Sequence, residues 1–461
     1  KENPRSPLTS LRPGRNNRLV PPRCLTQKGE SFHEAMAGIL VTAQVFGLLP
    51  VRGVRRPSPL DLHFERRSSR AAWALVLFVG VCLVELVSLR HMALTLSADT
   101  FGVIGGIGAA TAGAVFYGNA LIGALLLYRL AKRWPRLMEA WFDMEAMLRK
   151  GRPPTLRLRF NVLCVVVMVG ALVEHIMSVL NAVPVFINVH VYGESRPPPE
   201  DGKHVVDTSS GAFFEFLDEY CHSSHSFIFD HVPYNVFTGM LIFVMSKVTT
   251  FTWNFVDLFL MLVSTGLAER FKQYNAIVFE SDVAMLNKED WRELREYFAV
   301  LSALTKNVDA NICSIVFLSF GNNLYFICLQ LLNGLSPGNT SWLATVYFFY
   351  SFGFLLGRTV MVTLITARIN DLSKEGLSAL FSCPSETYNV EVARLQHQMA
   401  SDDLALTGLR FFSITRNFML AVAGAIATYE IVLLQFNVAI SPHPTDLPPA
   451  GTAVVTASTG Q

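Results

Sequence analysis

The sequence predicts an all-α membrane protein with seven transmembrane helices, its N-terminus cytosolic and its C-terminus extracellular. Of its 461 residues 51% are hydrophobic and only 16% are charged, whereas soluble domains carry charge at about a quarter of their positions. Seven stretches, at 71–94, 102–130, 160–190, 233–263, 311–333, 342–367 and 411–440, meet the requirement of roughly twenty largely apolar residues for a helix to cross a bilayer. Lys and Arg gather on alternate connections between them, which sets the orientation.

Taken in order, residues 1–30 are rich in Arg, Pro, Asn and Gly with no apolar core, and they read as a disordered cytosolic tail without a cleavable signal peptide. A single seven-span domain is placed at 31–440. At its start, 33–50 is apolar but interrupted by His33, Glu34 and Gln44 and ended by Pro50. An amphipathic or protein-covered helix on the cytosolic side is expected there, not a span.

Basic connections alternate with connections that nearly lack Lys and Arg. The basic set comprises Arg52 to Arg70, Lys132 to Arg159, Arg270 to Lys306 and Arg368 to Arg410, and the opposite set holds only Arg196 and Lys203. Basic loops stay on the cytosolic side, so Asn339-Thr340-Ser341 is an extracellular glycosylation sequon, and 441–461 is an extracellular tail.

The outer loop 191–230 is acidic, which would concentrate cations near a pore. Cys221, His222, His225, Asp230 and His231 cluster there, but their spacing matches no closed zinc site. The seven cysteines are scattered, mostly within apolar runs, and read as small hydrophobes. Facing the cytosol, Leu286, Trp291, Leu294, Phe298 and Leu301 recur at a helical period within 264–310. That segment and 369–410 are expected to extend the membrane helices into a packed intracellular layer.

No Gly-rich phosphate loop, His-Glu-x-x-His motif or Gly-x-Ser-x-Gly elbow is present, so neither an enzyme nor a cofactor is expected. Nucleic acid is not an expected partner either. The spans instead hold polar and aromatic residues in their outer halves: Glu85, Ser88 and His91; Tyr117 and Asn119; Glu174, His175 and Asn181; Asn322, Asn323, Tyr325 and Gln330; Tyr347 and Tyr350. Ionisable groups in lipid are costly enough to mark function. Carboxylates and amides satisfy paired hydroxyls while rings cover C–H faces, a combination that suits a mono- or disaccharide. Lys247, Asn254, Asp257 and Arg358 lie deeper, where pairing in a structural role is expected.

The last span carries Thr428-Tyr429-Glu430-Ile431-Val432-Leu433-Leu434-Gln435-Phe436. Helical spacing puts Thr428, Val432 and Gln435 on one face and Tyr429, Val432 and Phe436 on an overlapping one, a stripe able to face protein or water. The motif Thr-Tyr, five residues, Gln-Phe is similar to the signature of insect gustatory receptors, in the form of their sugar-sensing branch. Phe32-His33-Glu34-Ala35 through Pro50, and Trp253-Asn254-Phe255-Val256-Asp257-Leu258-Phe259 through Arg270-Phe271, resemble the same branch.

The resemblance implies an insect chemoreceptor-type channel subunit in the plasma membrane of a sensory dendrite. It further implies a homotetramer, or a heteromer with related subunits, around a non-selective cation pore lined by the last helix and opened by sugar. Gln435 and Phe436 would form or flank the outer constriction, with Thr428 and Tyr429 deeper, coupling that helix to the bundle. Sugar, permeant cations and membrane lipid are the implied partners. An odorant receptor subunit shares this plan but favours apolar ligands. A sugar transporter would show inverted repeats, which are not visible here.

Overall fold

Helices follow the apolar runs and continue past them at one end. The computed structural model describes residues 30–97, 106–148, 154–191, 211–282, 285–334 and 341–440. The expected tails at 1–29 and 441–461 and the sequon at Asn339 lie outside these residues.

The first helix, α1 (Phe32–Val45), is capped by the Ser31 side chain and buries Phe32, Ala35, Met36, Ile39 and Leu40 along one face. The protein-covered helix expected at 33–50 is therefore observed. Then come α2 (Ser69–Thr95), α3 (Gly106–Met147) and α4 (Leu156–Ala182). Pro184 starts a separate short helix, α5 (Pro184–His190), because a proline without an N–H is suited to a first turn. The third span therefore ends at Ala182, earlier than expected from the apolar run.

Two outer helices, α6 (Ala212–Ser224) and α7 (Ser226–Phe229), lead into α8 (Val236–Glu280), which opens with an Asn235–Thr238 capping box. The long helices α9 (Lys288–Gly334) and α10 (Trp342–Glu375) follow. Next are α11 (Leu377–Phe381), α12 (Val390–Ser401) and a small hairpin of β1 (Thr407–Gly408) and β2 (Phe412–Ser413). The last helix is α13 (Arg416–Ile440). Among the described residues six helices, α2, α3, α4, α8, α9 and α10, are long and apolar enough to cross a membrane, and α13 supplies the seventh apolar helix expected from the sequence.

The final helix starts at Arg416 and not at Phe411, which corrects the boundary read from hydrophobicity. Leu409 and Arg410 adopt left-handed φ values of 50° and 64°, turning the chain through the hairpin before α13 begins.

Burial separates the helices by role. In α8, 89% of the most apolar stretch is buried, against 11% in α4. The first is a central post, and the second presents Leu158, Val162, Val165, Val169 and Leu172 outward, as lipid contact requires. The main core lies where α1, α3, α8 and α9 meet at the basic end, around Phe32, Trp134, Trp141, Phe259, Phe271 and Phe298. Trp291, Leu294, Phe298 and Leu301 are fully buried there, so the packed layer expected beyond the membrane is present.

Ion pairs tie that layer together. Glu269, 4% exposed, accepts from Arg159 at 2.6 Å and Arg368 at 3.1 Å. Glu145 holds both Arg270, at 2.5 Å, and the backbone N–H of Phe32, at 3.0 Å. At the layer's surface Lys306 meets Asp402 and Lys374 meets Asp403, at 2.8 and 3.0 Å.

Candidate ligand site and pore helix

In the half of the bundle opposite that layer, three helices are joined by one hydrogen-bond chain. Gln330 of α9 donates its amide to the Ser351 hydroxyl of α10 at 3.0 Å, and Ser351 donates to Glu174 Oε1 of α4 at 3.0 Å. Tyr347, one turn before Ser351 on α10, borders the same carboxylate. The Gln330 carbonyl oxygen and His175 Nε2 are buried and make no hydrogen bond among the described residues. Both polar atoms of buried Asn322 are likewise unmatched. Buried donors and acceptors that the protein does not saturate are what a polyhydroxyl ligand can use.

Aromatic rings run from α3 across α8 to α9. Tyr117 lies 5.1 Å from Phe116, Phe116 6.1 Å from Trp253, Trp253 4.7 Å from Phe326 and Phe326 5.0 Å from Tyr325, measured between ring centres. Tyr325 is fixed by a 2.7 Å hydrogen bond to Thr111.

Below the chain sits a closed polar network. Arg358, seven residues further along α10 and so about 10 Å deeper, pairs with Asp257 of α8 at 2.9 Å and also bonds Asn254. Its guanidinium lies 4.8 Å from the Trp253 ring centre. Asn323 donates to Asp257 at 3.0 Å and accepts from Trp253 and Arg358, each at 3.4 Å. All four polar residues are buried, and each is matched by others of the set.

A second polar group lies under the outer helices. Buried Glu85 packs so closely on α3 that a Cβ at Gly118 would stand 2.9 Å from Glu85 Oε1. The Tyr117 hydroxyl meets His225 Nε2 at 2.9 Å, and His91 lies 5.8 Å from Phe227 and 5.6 Å from His231. Lys247 reaches Tyr220 at 3.2 Å. Burial, with some help from the charge of Lys247, pushes His225 down to about 3, so it is neutral at physiological pH. His222 is raised instead, because Asp218 accepts from it at 3.0 Å. No group of three or more potential metal ligands exists among the described residues.

The hairpin before α13 hangs on α9. Asp309 accepts from the Thr407 backbone at 2.6 Å and its hydroxyl at 3.0 Å, and the Leu409 N–H donates to the Cys313 carbonyl at 3.2 Å. Phe418, in the first turn of α13, packs on Phe320 and Phe412. Beyond that turn Leu420, Thr428, Ile431 and Val432 of α13 are exposed. The Thr428 hydroxyl bonds back to the Gly424 carbonyl at 2.9 Å. The side chains of Tyr429, Gln435 and Phe436 lie outside the description, although their backbone belongs to α13.

The family model described as "Trehalose receptor" matches residues 23–441. The chain belongs to that family. Its relatives include gustatory receptor 5a for trehalose of Drosophila melanogaster, 33% identical over 416 residues, 88% of this chain and 85% of that protein. Gustatory receptor for sugar taste 64f of the same organism is 32% identical over 411 residues, 88% of this chain and 81% of that one. The fold is that of the insect olfactory receptor OR5 from Machilis hrabei, with a TM-score of 0.58 at 14% identity, covering 87% of this chain and 97% of that one. The complex of that receptor with eugenol superposes at a TM-score of 0.59 and 13% identity, covering 88% and 98%.

For this member of the trehalose receptor family, the expected residues divide into sets. Glu174, Gln330 and Tyr347 converge with Ser351, and Glu85 and His91 lie with Tyr117 and His225. Asn323 is drawn into the deeper network, and Tyr350 donates to the Gly170 carbonyl at 3.1 Å. Asn119 and Asn181 are half-buried on α3 and α4. Ser351 joins the first set and His225 the second, although neither is among the ligand-binding residues expected from the sequence. Ser351 follows Tyr347 by four residues and so shares its helix face, a signal that was available.

Proposed function

We propose that this protein is a sugar-gated, non-selective cation channel of the plasma membrane of gustatory sensory neurons. A mono- or disaccharide enters the outer half of each subunit's bundle, and α13 from each of four subunits, identical or related, lines the pore. The observation that supports this best is the Gln330–Ser351–Glu174 chain across three helices, in a bundle that also holds a run of aromatic rings and unmatched buried polar groups. Such a site can bind hydroxyls and C–H faces together, and the sugar receptors among its relatives make sugar the natural ligand class. Polar lining argues against an odorant ligand in the same fold.

Opening is then a shift in populations. Sugar binds more tightly to one arrangement of α4, α9 and α10, and α9 transmits the difference through the hairpin to α13. In this reading Val432 lies on the conduction path, with Thr428 and Tyr429 deeper, where they couple α13 to the bundle, and Gln435 and Phe436 form or flank the outer constriction. Asn339 is assigned as an extracellular glycan acceptor.

The chain expressed alone, with currents recorded across a panel of mono- and disaccharides, tests the reading. Glu174→Ala and Glu85→Ala are expected to abolish the sugar-evoked current while surface labelling stays at the parental level. Unchanged dose-response curves in both variants would remove the pocket from this proposal.

A further inference from the structure

At the opposite, basic end a cavity of about 350 Å³ opens between α3 and α9. One wall is cationic: Arg129, Lys132 and Arg133, spaced by three and four residues, share a face of α3. The other wall, on α9, offers Asn311 and Ser314 beside the apolar Ile315. No carboxylate faces the three cations within ion-pair distance among the described residues; Arg133 makes only a 3.4 Å bond to Asn311, and Lys132 rests 5.2 Å from the Tyr128 ring centre. Three like charges gathered around one cavity repel each other unless an anion joins them.

Depth narrows the anion's identity. These residues stand where the apolar stretch of α3 ends, beside half-buried Tyr128, at the end whose basic loops are assigned to the cytosol. Aromatic residues mark the headgroup level. Basic pockets between membrane helices on that side suit phosphorylated lipid headgroups. Half-buried Leu126 also lines the cavity, apolar surface that an acyl chain can use and a free anion does not need.

We propose that this cavity binds the phosphorylated headgroup of an inner-leaflet anionic phospholipid. The guanidinium groups of Arg129 and Arg133 and the ammonium of Lys132 hold the phosphate oxygens, while Asn311 and Ser314 donate from α9. The same stretch of α9 carries the hairpin that precedes α13, through Asp309 to Thr407 and Cys313 to Leu409. Occupancy therefore stiffens the support of α13.

The test needs neither sugar nor current, so it stands or falls apart from channel function. The full chain is purified in detergent and titrated with dioctanoyl phosphatidylinositol bisphosphate, dioctanoyl phosphatidylcholine or free inositol trisphosphate, with bound molecules counted by native mass spectrometry. The phosphoinositide is expected to bind about tenfold or more tightly than phosphatidylcholine, and to lose that preference in Arg129→Gln/Lys132→Gln/Arg133→Gln. A charge-matched control, Arg66→Gln/Lys272→Gln/Lys288→Gln, is expected to keep it. Should the triple variant fold poorly, Asn311→Asp, which places an acid against Arg133, is expected to weaken binding in an otherwise intact cavity. Amide exchange across residues 405–414 is expected to slow on binding. Equal affinity for both lipids, or an unchanged preference in the cavity variants, overturns the site. Inositol trisphosphate binding as tightly as the lipid overturns the lipid source, and unaltered hairpin exchange overturns the link to α13.

Discussion

Arg358 and Asp257 illustrate how a single buried charge fixes its surroundings. Both are almost fully buried, and each satisfies the other with help from Asn254 and Asn323. Removing one partner strands the other, a loss of about 3–5 kcal/mol. Arg358→Ala is therefore expected to reduce surface protein and melting temperature sharply, and Arg358→Gln with Asp257→Asn to recover part of the loss. A melting curve for Arg358→Ala that matches the parent would show that the pair is dispensable. Titration separates the two outer histidines in the same way. The folded pKa of His225 is depressed to about 3, below the unfolded value of about 6.5, so the unfolded state binds more protons between them. Its contribution to stability is present above the unfolded value and is lost as the pH falls toward the folded one. His222, raised by Asp218, has the opposite sign: its contribution is full below the unfolded value and disappears as pH climbs through the folded one. Melting temperatures between pH 7 and pH 5 are expected to fall less in His225→Gln than in the parent; parallel profiles would mean that His225 does not govern the acid limb. Glu174 and Glu85 were legible in the sequence because a carboxylate inside an apolar run is conspicuous. Ser351 and His225 were not, since their roles depend on partners 177 and 108 residues away.

Whole elements lock together through a few close approaches. The α1 helix is held by Phe32, whose ring stacks 3.9 Å from Trp141 and meets Phe160 edge-on at 5.6 Å. Gly266 of α8 makes that seat possible, because a Cβ there would stand 2.6 Å from the Phe32 ring and 3.0 Å from Trp141. Overpacking of this kind costs about 1–3 kcal/mol. Gly266→Ala is expected to lower the melting temperature, and Phe32→Leu in the same chain to restore part of it by vacating the overlap. A neutral Gly266→Ala would mean that α1 can slide. Helix α2 could be read from sequence almost to both ends, and α10 at its start. The start of α13 could not, because Phe411 and Phe412 extend the hydrophobic run while the turn is made by Leu409 and Arg410, residues with no local preference for left-handed backbone. The cytosolic continuation of α9 was legible because Trp291, Leu294, Phe298 and Leu301 keep helical spacing far beyond the bilayer. The cationic cavity was visible only as scattered basic residues until α3 and α9 were brought together.

At the scale of the molecule, the distribution of buried surface sets the terms for assembly. The central α8 is enclosed by its own chain, α4 is bare as a lipid-facing helix should be, and α13 exposes most of its described side chains from Leu420 to Val432. An exposed helix bearing Thr428 within apolar residues faces either acyl chains or other subunits around a wet path, and these alternatives differ in what reaches the side chain. Thiol reagents that carry a fixed charge stay in water, so they modify a cysteine only where water is present. In four-subunit assemblies Thr428→Cys is expected to react with such a reagent faster while sugar is applied, and Leu420→Cys, nearer the α9 support, to respond less to sugar. Native cysteines give the background, which the parental chain measures. Reaction at Thr428→Cys that is absent both with and without sugar would place this face of α13 in lipid and leave conduction to another element.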